Sequence, residues 1–267
     1  MSSKPALSGH ASVSTDGTSK RSRQEPLDSA PSLIVQTNSL PLEDLKSRFL
    51  DPSLLTFTTT NGINDDTTAQ SYNIELFKSS SLPPDVFDNC FDLLEANMSA
   101  SYKATSRGWH PRKKKEEMKH PAMRYLVLTA VSGGSGQASG SSFVGFLEFM
   151  ITEEEGSEVI YTYELDILPA YQKMGLGKKL LDVAEEFGRR VGVEKAMLTV
   201  FDSNRGARRF YEREGYDLDE ISPDPKILRN GTIKPSTYHI LSKAFWIDDG
   251  EEDGGEDEAE DYDDNDS

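Results

Sequence analysis

Gln172-Lys173-Met174-Gly175-Leu176-Gly177 joins two stretches with different hydrophobic periods. Val159 to Leu168 before it reads as a strand. Gly177 to Val191 after it reads as a helix, with Leu180, Ala184, Phe187 and Val191 along one side. Two glycines let the backbone turn tightly and come close to a ligand. The helix start then offers unpaired N–H groups and the positive end of a dipole, a setting that suits phosphate. An ordinary strand-to-helix loop also uses glycine, so the meaning of this turn depends on the segments downstream of it. Lys195 to Phe201 reads as a second strand. Asn204-Arg205-Gly206-Ala207-Arg208-Arg209-Phe210-Tyr211-Glu212-Arg213-Glu214-Gly215 then reads as a short helix ending in glycine.

The pattern continues on both sides. Leu40 to Leu50 has helix-like spacing at Leu42, Leu45, Phe49 and Leu50, and Tyr72 to Phe77 reads as a strand. Pro83-Pro84 opens a helix with Phe87, Phe91, Leu94 and Met98 on its face, since proline is tolerated in a first turn. Cys90 falls on that face with Val86 and reads as core, not as a nucleophile; a lone cysteine also excludes an internal disulfide. A short helix spans Pro111 to Met118. Strands lie at Ala122 to Val131 and Phe143 to Ile151, with a Ser/Gly-rich loop, Ser132 to Ser142, between them. Glu153 to Gly156 is a turn. After the second helix come strands at Tyr216 to Ile221 and Thr237 to Phe245.

Only 36% of the 267 residues are hydrophobic, so part of the chain is expected to be disordered. Residues 1–32 read as a Ser-rich leader with a weak basic cluster, Lys20-Arg21-Ser22-Arg23. Residues 33–247 read as one domain with a helical extension at its start, and 248–267 as an acidic tail. That tail holds 13 of the acids and no Lys or Arg, so without it the net charge of −17 falls to −4. A tail of this kind disfavours nucleic acid and suits either solubility or basic partners such as histone tails. No apolar run reaches membrane-spanning length, and no signal-peptide core opens the chain. The basic run Arg112-Lys113-Lys114-Lys115 reads first as a solvated helix face and second as a ribosome or RNA contact.

The Gly-rich turn, the second strand and the Asn-led aromatic helix together resemble the acyl-CoA-binding half of the GNAT acetyltransferases. Tyr161-Thr162-Tyr163-Glu164, Gly175-Leu176-Gly177-Lys178, and Met197 to Phe201 followed by Asn204 are similar to the NatD family. Its members acetylate the N-terminal α-amine of histones. Ser222-Pro223, Ser236 to Leu241, Gly108-Trp109 and Lys115-Glu116-Glu117-Met118 fit the same family, and the likeness spans residues 72 to 243.

The resemblance implies an α/β (α+β) GNAT fold. Its mixed, mostly antiparallel central sheet would be flanked by helices, with two parallel central strands splayed around acetyl-CoA. Backbone N–H groups of Lys173, Met174, Gly175, Leu176, Gly177 and Lys178 would hold the pyrophosphate. Gln172 stands where an arginine is common, which leaves charge to the nearby lysines. Ile167 and Leu168 would meet the pantetheine arm through their backbone, and Asn204 would bond the arm or cap its helix. No metal is called for.

Glu164 is the implied general base. A chain's α-amine has a pKa of about 7.7–8.0, so a modest base suffices. A semi-buried Glu near Tyr rings would be raised towards working pH. Alternation puts Glu164 on the strand face opposite Tyr161 and Tyr163, and a bulge would re-aim it. The acid that protonates the leaving thiolate is implied to be Tyr211 or Ser222. Tyr102, Trp109, Tyr161, Tyr163, Thr199 and Tyr238 would line the peptide site, and Glu154, among Glu153 to Glu155, would meet a substrate Arg. Thr152 and Arg107 depart from the family pattern. The implied function is N-terminal acetylation of histones beginning Ser-Gly-Arg-Gly, by a monomer of the cytoplasm and nucleus with no specific DNA binding. A lysine or small-amine acetyltransferase and a non-catalytic histone-binding protein are the competing readings.

Overall fold

A computed structural model describes residues 32–61, 68–105, 108–131, 141–227 and 229–245. The leader up to residue 31, most of the Ser/Gly-rich loop, Arg107, Trp246-Ile247 and the acidic tail lie outside the described residues. The helices are α1 (Leu33–Ser39), α2 (Leu42–Phe49), α3 (Pro52–Leu55), α4 (Pro84–Lys103), α5 (Pro111–Met118), α6 (Leu176–Val191) and α7 (Arg205–Arg213). The strands are β1 (Thr56–Asn61), β2 (Thr68–Lys78), β3 (Arg124–Val131), β4 (Ser141–Glu154), β5 (Ser157–Ile167), β6 (Lys195–Phe201), β7 (Asp217–Leu218), β8 (Lys226–Ile227), β9 (Ile233–Lys234) and β10 (Tyr238–Ala244). Eight of them form one sheet in the order β1-β2-β3-β4-β5-β6-β10-β7; β8 and β9 make a separate hairpin.

Every neighbouring pair in the large sheet is antiparallel except β5 and β6. A parallel pair needs a crossover, and α6 supplies it. Leu180, Leu181, Ala184, Phe187 and Val191 are buried on α6 at helical spacing. Gly188 lets that helix approach the sheet: a Cβ there would meet Ile160 Cγ2 at 2.8 Å. One sheet face is covered by α6, α7 and the α1–α3 extension. The other is covered by α4 and α5, with Cys90 fully buried among Phe91, Leu94 and Met98.

Several elements differ from the sequence reading, among them α3 and the β8–β9 hairpin, which it did not include. The sheet begins earlier, because Thr-Phe-Thr-Thr-Thr-Asn pairs with β2 as an edge strand that has no apolar alternation to announce it. Helix α1, capped by the Ser32 hydroxyl, precedes the expected helix. Cations tie down its C-terminal end: Arg124 donates to the Asn38 carbonyl at 3.4 Å and to the Asn38 side-chain oxygen at 3.3 Å, and Lys78 donates to the carbonyl of the capping Leu40. The strand expected over Tyr216 to Ile221 shrinks to Asp217–Leu218. Asp219 turns the chain there, accepting from Ile221 N–H and Lys195.

Candidate active site

Strands β5 and β6 are paired only from Val159–Lys195 to Thr162–Leu198. Beyond those residues β5 runs on to Ile167 and β6 to Phe201 without pairing to each other, so the parallel strands diverge towards their C-terminal ends. Ligands of open α/β sheets collect at such ends, where backbone groups are left unpaired.

On the α6 face the divergence opens into a groove of about 730 Å³. Gln172, Lys173, Gly175, Leu176, Gly177 and Lys178 line it on one side, Asn204 on another, and Ile167 on its floor. Lys173 and Gly175 both have left-handed backbones, with φ of 64° and 77°. The first intrahelical bond of α6 is Lys179 N–H to the Gly175 carbonyl, which leaves the N–H groups of Leu176, Gly177 and Lys178 without a helical acceptor. Lys178 is partly neutralised by Asp182 and Glu214, at 2.7 and 3.0 Å. Among the lining groups that the sequence reading missed are Tyr171, Arg209, Phe210 and Arg213. The two arginines lie one helical turn apart on α7 and supply the cations that Gln172 lacks. Their spacing was in the sequence, but no motif pointed to it.

Several expected contacts fall elsewhere. Gln172 Nε2 donates to the Ile167 carbonyl at 2.9 Å, so both groups help close the loop. The Leu168 N–H is taken by Val144 and its carbonyl by Tyr171, while its side chain lies against α4; Leu168 is therefore not part of the groove. The Met174 side chain packs on the core, so its expected part in the turn rests on its backbone N–H alone. Asn204 caps α7 by accepting from Ala207 N–H at 3.2 Å and lines the groove as well.

The opposite face holds the buried carboxylates. In register, Glu148 pairs with Glu164 and Phe149 with Thr162, which leaves Tyr163 as the extra residue of a bulge. Without the bulge Glu164 would share a face with Ile160 and Thr162. With it, Tyr161, Tyr163, Glu164 and Asp166 all turn towards α4 and α5. Glu164 is fully buried, and its carboxylate meets Lys114 Nζ at 2.7 Å. Burial pushes its pKa up to about 8; Lys114 opposes the rise, while Asp166 and Glu148 add to it. Lys114 also pairs with Glu117. The basic run is thus not a uniformly solvated face: Arg112 is exposed, but Lys114 is 6% exposed and points inward.

An aromatic wall adjoins this cluster. Tyr102 packs on Trp109 and Phe201, with ring centroids 5.4 and 5.2 Å apart. Trp109 Nε1 donates to Glu95 at 2.7 Å. Tyr161 stacks obliquely on Tyr163 at 5.4 Å, and its hydroxyl bonds Thr199. Burial raises the Tyr161 hydroxyl, and the Glu154 and Tyr238 side chains are close enough to raise it further. Of the three hairpin acids, Glu153 and Glu155 are exposed, whereas Glu154 is half-buried.

The two candidate acids are placed differently. Tyr211 is fully buried between Phe210 and Tyr216; burial raises its pKa, and the charges of Asp166 and Glu164 raise it further. Ser222 accepts from Ile240 N–H at 3.0 Å, a tie between the loop after β7 and β10.

A groove with free helix N–H groups on one face, a buried carboxylate on the other and diverging strands between them match a known arrangement. Residues 90–216 fit the acetyltransferase (GNAT) family model. This segment is a GNAT acetyltransferase domain. N-alpha-acetyltransferase 40 of Saccharomyces cerevisiae is 30% identical over 185 residues, which is 62% of this chain and 63% of that one. An N-acetyltransferase of Bacillus subtilis, YycN, is 26% identical over 32% of this chain and 54% of its own. The chain therefore spans less than two thirds of the length of these curated relatives. The solved structure of Arabidopsis thaliana NAA60 with a bisubstrate analogue has 13% identity, covers 64% of this chain and 98% of its own, and superposes with a TM-score of 0.43. GNAT acetyltransferases use acetyl-CoA. The groove of the GNAT domain suits that molecule, with unpaired N–H groups, four cations and no side chain at Gly177.

Proposed function

We propose that this chain is an acetyl-CoA-dependent N-terminal α-amino acetyltransferase of the NatD kind, with histone chains beginning Ser-Gly-Arg-Gly as its substrates. The observation that carries the reading is the bulge at Tyr163, which turns a buried carboxylate, Glu164, onto the face walled by Tyr102, Trp109 and Tyr161. The similarity to yeast N-alpha-acetyltransferase 40 supports it. Bound acetyl-CoA supplies an activated acetyl group as a thioester. The helix N–H groups of Leu176 to Lys178, with Arg209 and Arg213, hold its phosphates. Glu164 takes a proton from the attacking α-amine, which becomes an amide nitrogen as the C–S bond breaks. The departing thiolate needs a proton, and Tyr211 gives it; its position near Glu164 favours it over Ser222, whose hydroxyl is tied to β10. Glu154 meets the Arg of the substrate. The nuclear and cytoplasmic setting follows from the substrate. Among the described residues no helix is long and apolar enough to cross a membrane.

Acetyl transfer to a Ser-Gly-Arg-Gly peptide is expected, with none to the same peptide carrying a blocked N-terminus and free lysines. Transfer to lysine instead would make this a lysine acetyltransferase. Glu154 is half-buried, so its ion pair with the peptide Arg is expected to contribute about 1–2 kcal/mol, or roughly 5- to 30-fold in kcat/KM. Replacing that Arg by Ala should cost this much with wild-type enzyme and little with Glu154→Gln. Equal losses in both would remove Glu154 from the peptide site.

A further inference from the structure

The buried acids around Glu164 outnumber their cation. Helix α5 is eight residues long, and its inward face carries Lys114 and Met118, one turn apart, with Glu117 beside them. From α5, Lys114 reaches both Glu117 and Glu164. From β4, Glu148 lies directly across from Glu164 and is fully buried. From β5 itself comes Asp166, fully buried, which accepts from Asn97 Nδ2 at 2.7 Å. One oxygen of Glu148 and one of Asp166 have no hydrogen-bond partner among the described residues. Four carboxyl groups thus surround one ammonium in a site where charge is costly, and they cannot all be ionised at neutral pH.

Among the described residues, the other titratable groups facing the cluster add no cation. Cys90 of α4 lies near Glu148 and Asp166, and Tyr102 of α4 lies near Lys114. Tyr125 of β3 donates to Glu148 at 3.1 Å. Tyr163 on β5 and Tyr211 on α7 feel the same acids. Lys114 is therefore the group that decides whether Glu164 is ionised, and Glu148 is the nearest group that opposes it across the strands.

We propose that Lys114 is a positioning residue for the reaction, favouring the ionised form of the Glu164 carboxylate and holding it in one orientation, and that Glu148 sets the opposing bias. This rests on the reading of Glu164 as base. Without the ammonium, a buried carboxylate among other acids takes up a proton instead of staying charged, and a protonated Glu164 accepts nothing from an amine. Without the Glu148 charge, Glu164 ionises more readily.

The test is kcat against pH, with saturating acetyl-CoA and Ser-Gly-Arg-Gly peptide, for wild type, Lys114→Met, Lys114→Arg, Glu148→Gln and Glu164→Gln. The peptide amine titrates identically in all five, so differences in the acid limb report the enzyme. Lys114→Met should move that limb up by about one unit or more, cutting the rate at neutral pH roughly tenfold or more, with recovery at high pH. Lys114→Arg should restore most of the wild-type limb. Glu148→Gln, nearly isosteric, should move it down. A loss in Lys114→Met that is equal at every pH, or an unmoved limb in Glu148→Gln, overturns the proposal. Should Lys114→Met fail to fold, Glu148→Gln decides alone. If Glu164→Gln turns over like wild type, the base assignment itself has failed. If it is inactive while the limbs of the Lys114 and Glu148 variants stay put, only the positioning role has.

Discussion

Gly175 and Gly177 lie two residues apart and are glycine for different reasons. Gly175 caps α6 with φ of 77°, and a Cβ there would meet nothing within 4 Å. Its demand is conformational, and alanine there should cost about 1 kcal/mol of backbone strain. Gly177 has ordinary helical backbone, and an added Cβ would sit 3.8 Å from Phe210, an unstrained contact. Nothing in the fold requires glycine at 177; a ligand lying over the helix start would. Gly177→Glu is therefore expected to keep its melting temperature, since an acid in a first turn is mildly favourable. The same carboxylate would occupy and repel the phosphate position. Calorimetry should find acetyl-CoA binding abolished in folded Gly177→Glu, and unchanged affinity would remove the phosphate role from this turn.

At the scale of elements, legibility followed periodicity. Helices α4 and α6 announced themselves because burial on one face writes a period of 3.6 into the sequence, and the strands β3 to β6 because burial on both faces leaves short apolar runs. The phosphate loop was legible for the same reason: it is local, and its residues are consecutive. What failed to show was set by contacts from distant segments. Helix α1 packs Leu33 and Ile34 on the core but is only seven residues long, and its C-terminal end is tied by Arg124 and Lys78 from distant segments, contacts that leave no mark in its own sequence. The Tyr216 to Ile221 stretch alternates like a strand but is turned by Asp219 bonding Lys195, 24 residues away. In α5, four successive basic residues look alike in sequence, yet helical geometry points Lys114 inward beside Met118 and leaves Arg112 in solvent. The bulge at Tyr163 carries no compositional mark. Strict alternation puts Glu164 on the wrong face, and only the requirement for a base near the Tyr rings argued for an extra residue. Arg209 and Arg213 were missed because the fold, not a motif, brings α7 to the groove.

Across the whole molecule, the buried acids set a balance between activity and stability. Glu148 and Glu164 are both pushed up to about 8, chiefly by burial, from an ordinary value of 4.5. Between those limits the folded protein holds protons that the unfolded chain has released, so these two groups lower stability as pH rises from about 4.5 to about 8. Their effect is flat below and above that window. Glu148→Gln should therefore gain stability relative to wild type as urea unfolding is moved from about pH 5.5 to about pH 8; parallel curves would mean that Glu148 titrates normally. The same raised proton affinity would equip Glu164, as the proposed base, to serve an α-amine that itself titrates near 7.7–8.0. General-base assistance of this kind is typically worth about 10²–10⁴-fold. The most direct measurement is kcat for Glu164→Gln on a Ser-Gly-Arg-Gly peptide across pH, beside acetyl-CoA affinity for the same variant. The expected result is a fall of about 100-fold or more at neutral pH with near-normal affinity, the defect shrinking where the amine is already neutral. Wild-type turnover at neutral pH, or a loss of acetyl-CoA binding that accounts for the whole defect, would contradict Glu164 as the base.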